Sequence, residues 1–185
     1  MMQKKWQLTG LVMLSSVLLF SCAASKTYFT PQVRNKIERA GVSLNKLQFF
    51  IDRDVLLKRE ITKEEAQVAK GNIQIENGKY IDLIRLHRNT PGICTGTFPD
   101  KVLVSFEQGD NKFLTFGKTK YATATDPYRI LAFDWLKDGE GTIRYEGKNY
   151  HIVNGTDAGI QIKSKFLRKA DEVKERKMDG VKVSE

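Results

Sequence analysis

Asn77-Gly78 is the tightest local constraint on how this chain can fold. A two-residue hairpin turn needs positive φ at both central positions, and Asn-Gly meets that need at least cost. Ile73 and Ile75 alternate with polar residues before the pair. After it, Tyr80, Asp82, Ile84 and Leu86 fall on one face of a return strand over 79–86, and Ile81, Leu83, Arg85 and His87 on the other. Similar punctuation recurs at Asp52-Arg53-Asp54, Gly109-Asp110-Asn111, Gly139-Glu140-Gly141, Glu146-Gly147-Lys148 and Asn154-Gly155. Between these turns lie short strand-like segments. Residues 47–52 and 55–61 read as a hairpin joined by Asp52-Arg53-Asp54. Strands are also expected over 96–98, 102–107, 112–116, 128–133, 142–145, 149–153 and 160–166, with 88–92 as a loop. Roughly nine or ten short strands make the chain mainly β, a single antiparallel β-barrel or β-sandwich domain.

Two helical starts stand out against this pattern. Thr30-Pro31 offers a capping hydroxyl and a proline at the first helical position. Val33, Ile37 and Ala40 then make one apolar stripe, ended by Gly41, with Arg34, Lys36, Glu38 and Arg39 off it. This short N-terminal helix is expected to cover the β core. Thr62-Lys63-Glu64-Glu65 matches a capping box and predicts one further helical turn through Ala69. Phe166, Ala170 and Val173 repeat at helical spacing, so a short C-terminal helix is expected from about Leu167.

The N-terminus carries a different message. Lys4 and Lys5 are followed by an apolar run, Leu11–Phe20, broken only by Ser15 and Ser16. The run falls short of the roughly 20 residues that span a bilayer and suits the h-region of a signal peptide. Leu19-Phe20-Ser21-Cys22 resembles the lipobox of bacterial lipoproteins, Leu-x-[Ala/Ser/Gly]-Cys. That resemblance implies a diacylglycerol on the Cys22 thiol and cleavage after Ser21. A plain secretory signal with a chance cysteine, or an uncleaved anchor helix, are the competing readings. Ala23 is not acidic, and no acidic run follows Cys22. By the sorting rules of lipoproteins, this implies an outer-membrane anchor facing the periplasm. Tyr28-Phe29-Thr30-Pro31 and the segment Leu47-Gln48-Phe49-Phe50-Ile51-Asp52-Arg53-Asp54 resemble parts of uncharacterised Bacteroidota lipoproteins, a resemblance that implies no activity. The expected organisation is a signal peptide over 1–21, a lipid-anchored tether over 22–27, a β-rich domain over 28–167 and a charged tail or short helix over 168–185.

Removing the first 21 of 185 residues leaves 164, enough for one domain with a substantial core. Two lysines and no acids leave with the leader, so 29 Lys+Arg face 22 Asp+Glu, a formal +7. A basic domain held at a bilayer favours anionic neighbours, such as lipid headgroups or acidic glycans. Export and the lack of a dense basic stripe interleaved with aromatics argue against nucleic acid. With Cys22 acylated, Cys94 is the one remaining cysteine, which leaves no internal disulfide; it reads as a buried small hydrophobe.

Few residues invite a chemical role. His87 and His151 lack the local spacing of metal ligands, and no glycine-rich phosphate loop or G-x-S-x-G motif occurs. No metal or cofactor is expected. Asp126-Pro127-Tyr128 and Asp134-Trp135 place acids beside aromatics, as sugar-binding clefts do, so Asp126, Tyr128, Asp134 and Trp135 are the candidate ligand contacts. The functional expectation is a non-enzymatic envelope lipoprotein with an interaction or structural role. The alternatives are a binder of a small apolar or amphipathic ligand inside a β-barrel, and an enzyme acting on glycans. Replacing Cys22 with Ala should release the protein from membranes; retention after a carbonate wash would instead show a helical or other anchor.

Overall fold

The structure, a computed structural model, describes residues 25–69, 72–136 and 139–171. The signal peptide, Cys22 and most of the charged tail lie outside the described residues. The chain is mainly β, arranged as two antiparallel sheets. In chain order the first elements are β1 (Lys26–Tyr28), α1 (Pro31–Arg39), a 3₁₀ turn (Leu44–Lys46), β2 (Gln48–Ile51), β3 (Val55–Ile61) and α2 (Lys63–Val68). Four strands follow: β4 (Asn72–Glu76), β5 (Lys79–Leu86), β6 (Pro91–Thr97) and β7 (Lys101–Ser105). The rest is β8 (Leu114–Gly117), β9 (Arg129–Ile130), β10 (Asp134–Trp135), β11 (Gly141–Tyr145), β12 (Lys148–Asn154), β13 (Ile160–Lys163) and α3 (Lys165–Asp171).

The first sheet has the order β1-β13-β2-β6-β7-β8-β9, and the second β10-β11-β12-β3-β5-β4. The arrangement is that of a sandwich, and the sheets do not close into a barrel. The first sheet does curl strongly. Arg129 of β9 forms an isolated bridge with Gly159, just before β13, and Ile130 N–H donates to Ala158 O at 2.8 Å.

Local signals fold as their chemistry dictates. Asn77 and Gly78 both have positive φ, 50° and 77°, and join β4 to β5 in register, with Glu76 opposite Lys79. Thr62 and Glu65 exchange both bonds of the capping box. The Thr30 hydroxyl accepts from Val33 N–H at 3.1 Å, and Pro31 opens α1.

Several longer-range expectations are corrected. Residues 47–52 and 55–61 are not a hairpin. β2 pairs with β13 and β6 in the first sheet, whereas β3 pairs with β12 and β5 in the second. Asp52-Arg53-Asp54 is therefore a corner between sheets. Of the strand expected over 128–133 only Arg129–Ile130 forms, as β9 of the first sheet; the chain then crosses to the second sheet, where β10 begins at Asp134. Lys26 and Thr27, expected as tether, are part of β1 and pair with Lys163 and Ile162. Pro91 and Gly92, expected as loop, start β6 opposite Phe50 and Phe49. The strand expected over 160–166 ends at Lys163, because the chain turns at Ser164 into α3. Arg34, off the apolar stripe of α1, is nonetheless buried; Glu38 takes its Nε at 2.9 Å and the Tyr128 hydroxyl its Nη1 at 3.4 Å.

The core is filled by large side chains. Phe29 meets Phe49 and Tyr128 edge-to-face, with ring centroids 5.1 and 5.2 Å apart. Such contacts add about 1 kcal/mol each beyond area burial. Ile37, Ile51, Val104, Phe116 and Ile162 are fully enclosed around them. Cys94 is buried in this core, with its thiol 3.3 Å from Gly96 O.

The corner is pinned by one carboxylate. Asp52 has a side chain only 2% exposed. It accepts from Gly159 N–H at 2.8 Å and from Arg53 Nε at 3.1 Å, with Arg129 Nη1 at 3.5 Å. Gly155 fits beside it for steric reasons: a Cβ there would lie 2.4 Å from Asp54 O, and its φ is 80°. Replacing Asp52 with Ala leaves the buried Gly159 N–H without its acceptor and removes the charge partner of Arg53 and Arg129, so a loss of about 3 kcal/mol is expected. Urea unfolding would show it as a lowered midpoint with little change in slope.

Candidate binding cleft

Where the two sheets part, between β8 and β11, the surface opens into a cleft of about 520 Å³. Phe113 and Leu114 form one wall, Ile143 another, and Leu131, Ala132 and Phe133 the segment that crosses between the sheets. Lys101 and Arg144 stand at its polar margin. The cleft is therefore apolar within and cationic at the edge. No acid lines it. The exposed side chains Phe133 (63%), Trp135 (50%) and Leu136 (40%) continue the apolar character along the chain. Such a surface suits an apolar group that carries negative charge.

A second, smaller hollow of about 200 Å³ lies between the sheets nearby, and Leu114 borders both. Leu57, Ile84, Leu86 and Phe106 line it, and Glu107 and Tyr145 stand at its side. The Tyr145 hydroxyl donates to Glu107 Oε1. Lys112 Nζ lies 3.3 Å from the same oxygen and 2.8 Å from Glu146 Oε1. Glu146, aided by Glu107, holds the Lys112 ammonium above its ordinary range. A parallel network lies on the second sheet. There the Tyr150 hydroxyl donates to Asp82 Oδ2 at 2.7 Å, and Arg59 bridges Asp82 and Glu65.

Of the four residues singled out from sequence, the structure removes one and disperses the others. Tyr128 is 1% exposed, with its ring in the core and its hydroxyl taken by Arg34, so it presents nothing to a ligand. Asp126 accepts from the Thr123 N–H and hydroxyl, both at 2.7 Å, which holds its carboxyl below the usual range. Asp134 accepts from Trp135 N–H at 2.9 Å. Trp135 is half-exposed on β10, packed over Gly141. None of the four lines the cleft; Asp134 and Trp135 follow one of its lining residues, Phe133, in the chain.

The histidines stay apart. His87 lies 3.6 Å from Asp54, whereas His151 sits opposite Lys58 with its Nδ1 3.3 Å from the Thr142 hydroxyl. Among the described residues no group of three or more His, Cys, Asp or Glu could hold a metal ion. No described helix is long and apolar enough to cross a membrane.

The residues that make the cleft were not singled out in the sequence. Lys101, Phe113, Phe133 and Arg144 come from four segments, and no spacing links them. The mixed apolar and acidic run Leu131-Ala132-Phe133-Asp134-Trp135 was the one local sign of an apolar stretch left at the surface. No protein-family model matches the chain, and no curated protein or solved structure is significantly similar to it.

The two tyrosine networks give a test by pH. Burial, reinforced by Glu107, pushes the Tyr145 hydroxyl well above the tyrosine range; burial and Asp82 push Tyr150 up to about 12. A raised folded-state value means the folded state holds the proton more tightly than the unfolded chain does. The stability it adds is complete below the unfolded value near 10 and is lost as pH rises toward 12. Stability in urea should therefore fall across that window, by roughly 2 kcal/mol for each hydroxyl. The double change Tyr145→Phe and Tyr150→Phe should flatten the fall; an unchanged slope would show that these hydroxyls do not sense the fold.

Proposed function

We propose that this chain is a bacterial envelope lipoprotein, anchored at Cys22, whose β domain is a non-enzymatic interaction module. Its partner is another envelope protein, received at the cleft between the sheets. One observation carries this reading. Phe133, Trp135 and Leu136 are exposed together beside a cleft with Lys101 and Arg144 at its margin. Large aromatics left in water beside cations are the composition of an interface core with a charged rim. A partner segment that is apolar and bears carboxylates fits both features. The leader and Leu19-Phe20-Ser21-Cys22 support delivery to the envelope.

A second reading draws on the same cleft. Its volume and its pair of cations also suit a small amphipathic anion. Such a ligand would lie in an open cleft between sheets and not in a barrel, since large side chains fill the core.

A photo-activatable phenylalanine in place of Phe133, in the full chain and in its own cells, separates these readings. The protein-partner reading expects one discrete adduct that is absent when the probe replaces Lys79 on the second sheet. Trp135→Ser should lower its yield about tenfold, as loss of an interface aromatic does. A lipid or small-molecule adduct at Phe133 would favour the second reading. Identical adducts from both positions would overturn the cleft as an interface.

A further inference from the structure

The convex outer face of the first sheet carries a pattern that neither the core nor the cleft uses. Register puts Lys26 of β1 directly opposite Lys163 of β13, and Tyr28 opposite Gln161. Phe50 of β2 faces Gln161 from the other side, and Gln48 pairs with Ile93 of β6. Directly opposed residues project to the same side of a sheet. The alternating residues Phe49, Ile51, Ile160 and Ile162 are buried on the inner side. The named side chains therefore share the outer face, and none of them is acidic. Tyr28 is 39% exposed and Ile93 55%.

Like charges directly opposed in a sheet ordinarily destabilise it. Here the two ammonium groups share one aromatic ring. Lys26 Nζ lies 4.3 Å from the Phe50 centroid and Lys163 Nζ 6.0 Å from it. Lys26 also donates to Asn89 Oδ1 at 2.7 Å. Among the described residues no carboxylate pairs with either lysine. The second sheet is built differently: Lys58 pairs with Glu76 and Lys79 with Glu60. The first sheet thus presents two uncompensated cations among exposed aromatic and aliphatic side chains.

Chain connectivity says what lies opposite. Lys26 is four residues after Cys22. A fully extended chain covers at most about 3.5 Å per residue, so Lys26 stands within roughly 14 Å of the anchored residue. Resting on the anchoring at Cys22, we infer that the outer face of the first sheet lies against the bilayer and binds anionic lipid headgroups. Lys26 and Lys163 meet the phosphates, while Tyr28, Phe50 and Ile93 sit at the boundary between headgroups and acyl chains. Lysines snorkel to headgroups from an apolar base, and aromatic rings favour that boundary. Each lysine near an anionic surface raises partitioning about fivefold.

The test uses the full-length protein, purified from membranes and reconstituted into two kinds of vesicle. One is pure phosphatidylcholine; the other has one lipid in three replaced by phosphatidylglycerol, a choice of roughly physiological surface charge. An amine-reactive reagent labels exposed lysines, and mass spectrometry reads each site. Lys26 and Lys163 should label about fivefold more slowly in the anionic vesicles, with Lys79 and Lys148 unchanged, and high salt should erase the difference. Equal labelling in both vesicles, with acyl groups present on Cys22, would overturn the orientation and leave the anchor standing. An intact mass showing no acyl group would overturn the anchor and, with it, this inference.

Discussion

The Asp52 carboxylate is the point through which the two sheets become one fold. It is almost fully enclosed, and a buried charge is tolerated only where donors surround it. Its donors come from three places that are distant in sequence: Arg53 beside it, the Gly159 backbone that leads into β13, and Arg129 on β9. Arg129 also donates to Asp157 O at 2.7 Å, and Arg53 pairs with the Asp157 carboxylate. The end of β2, the entry to β13 and the last strand of the first sheet are thus fixed to a single group. From that corner the chain leaves for the second sheet, with Asp54 accepting from Arg88 N–H at 2.6 Å. The curl of the first sheet and the place where the second attaches both follow.

With the corner fixed, the interior is occupied and the chemistry moves outward. Phe29, Phe49, Phe116 and Tyr128 fill the curled sheet, and the cleft and its smaller neighbour lie where the sheets diverge, beside β8 and β11. The polar networks of Tyr145 and Tyr150 close the inner edges of that divergence. They pair hydroxyls with carboxylates and bring in Lys112 and Arg59 as counter-charges. A polar group half-removed from water needs such partners, which explains why these carboxylates serve structure.

What could be read from the sequence was what local chemistry decides. Asn77-Gly78, the capping box at Thr62 and Glu65, and the Thr30-Pro31 helix start each depend on a few neighbouring residues, and each folds as expected. The mainly β class followed from the alternation between turns. Pairing across the molecule was harder to see. Gln48–Ile51 and Val55–Ile61 look like hairpin partners until Asp52 is known to bind Gly159, 107 residues further on, and Arg129. The burial of Arg34, off the apolar stripe of its helix, was hidden because its partner, Tyr128, lies far along the chain, just before β9. The cleft was hidden for the same reason, since its residues meet only once the sheets are assembled.

β1 is only three residues long, antiparallel to β13 and held at the rim of the first sheet. Any pull on the N-terminus runs along that strand, so its ladder is loaded in shear, with all its bonds sharing the force at once. Phe29 N–H continues the attachment to Ile160 O at 2.9 Å, and Phe29 itself is locked inside the core. The mechanical path from the N-terminus thus enters the molecule at a fully enclosed ring. A short strand backed by a buried aromatic works like a knotted cord through a plate: the thread is slight, but the knot is on the far side.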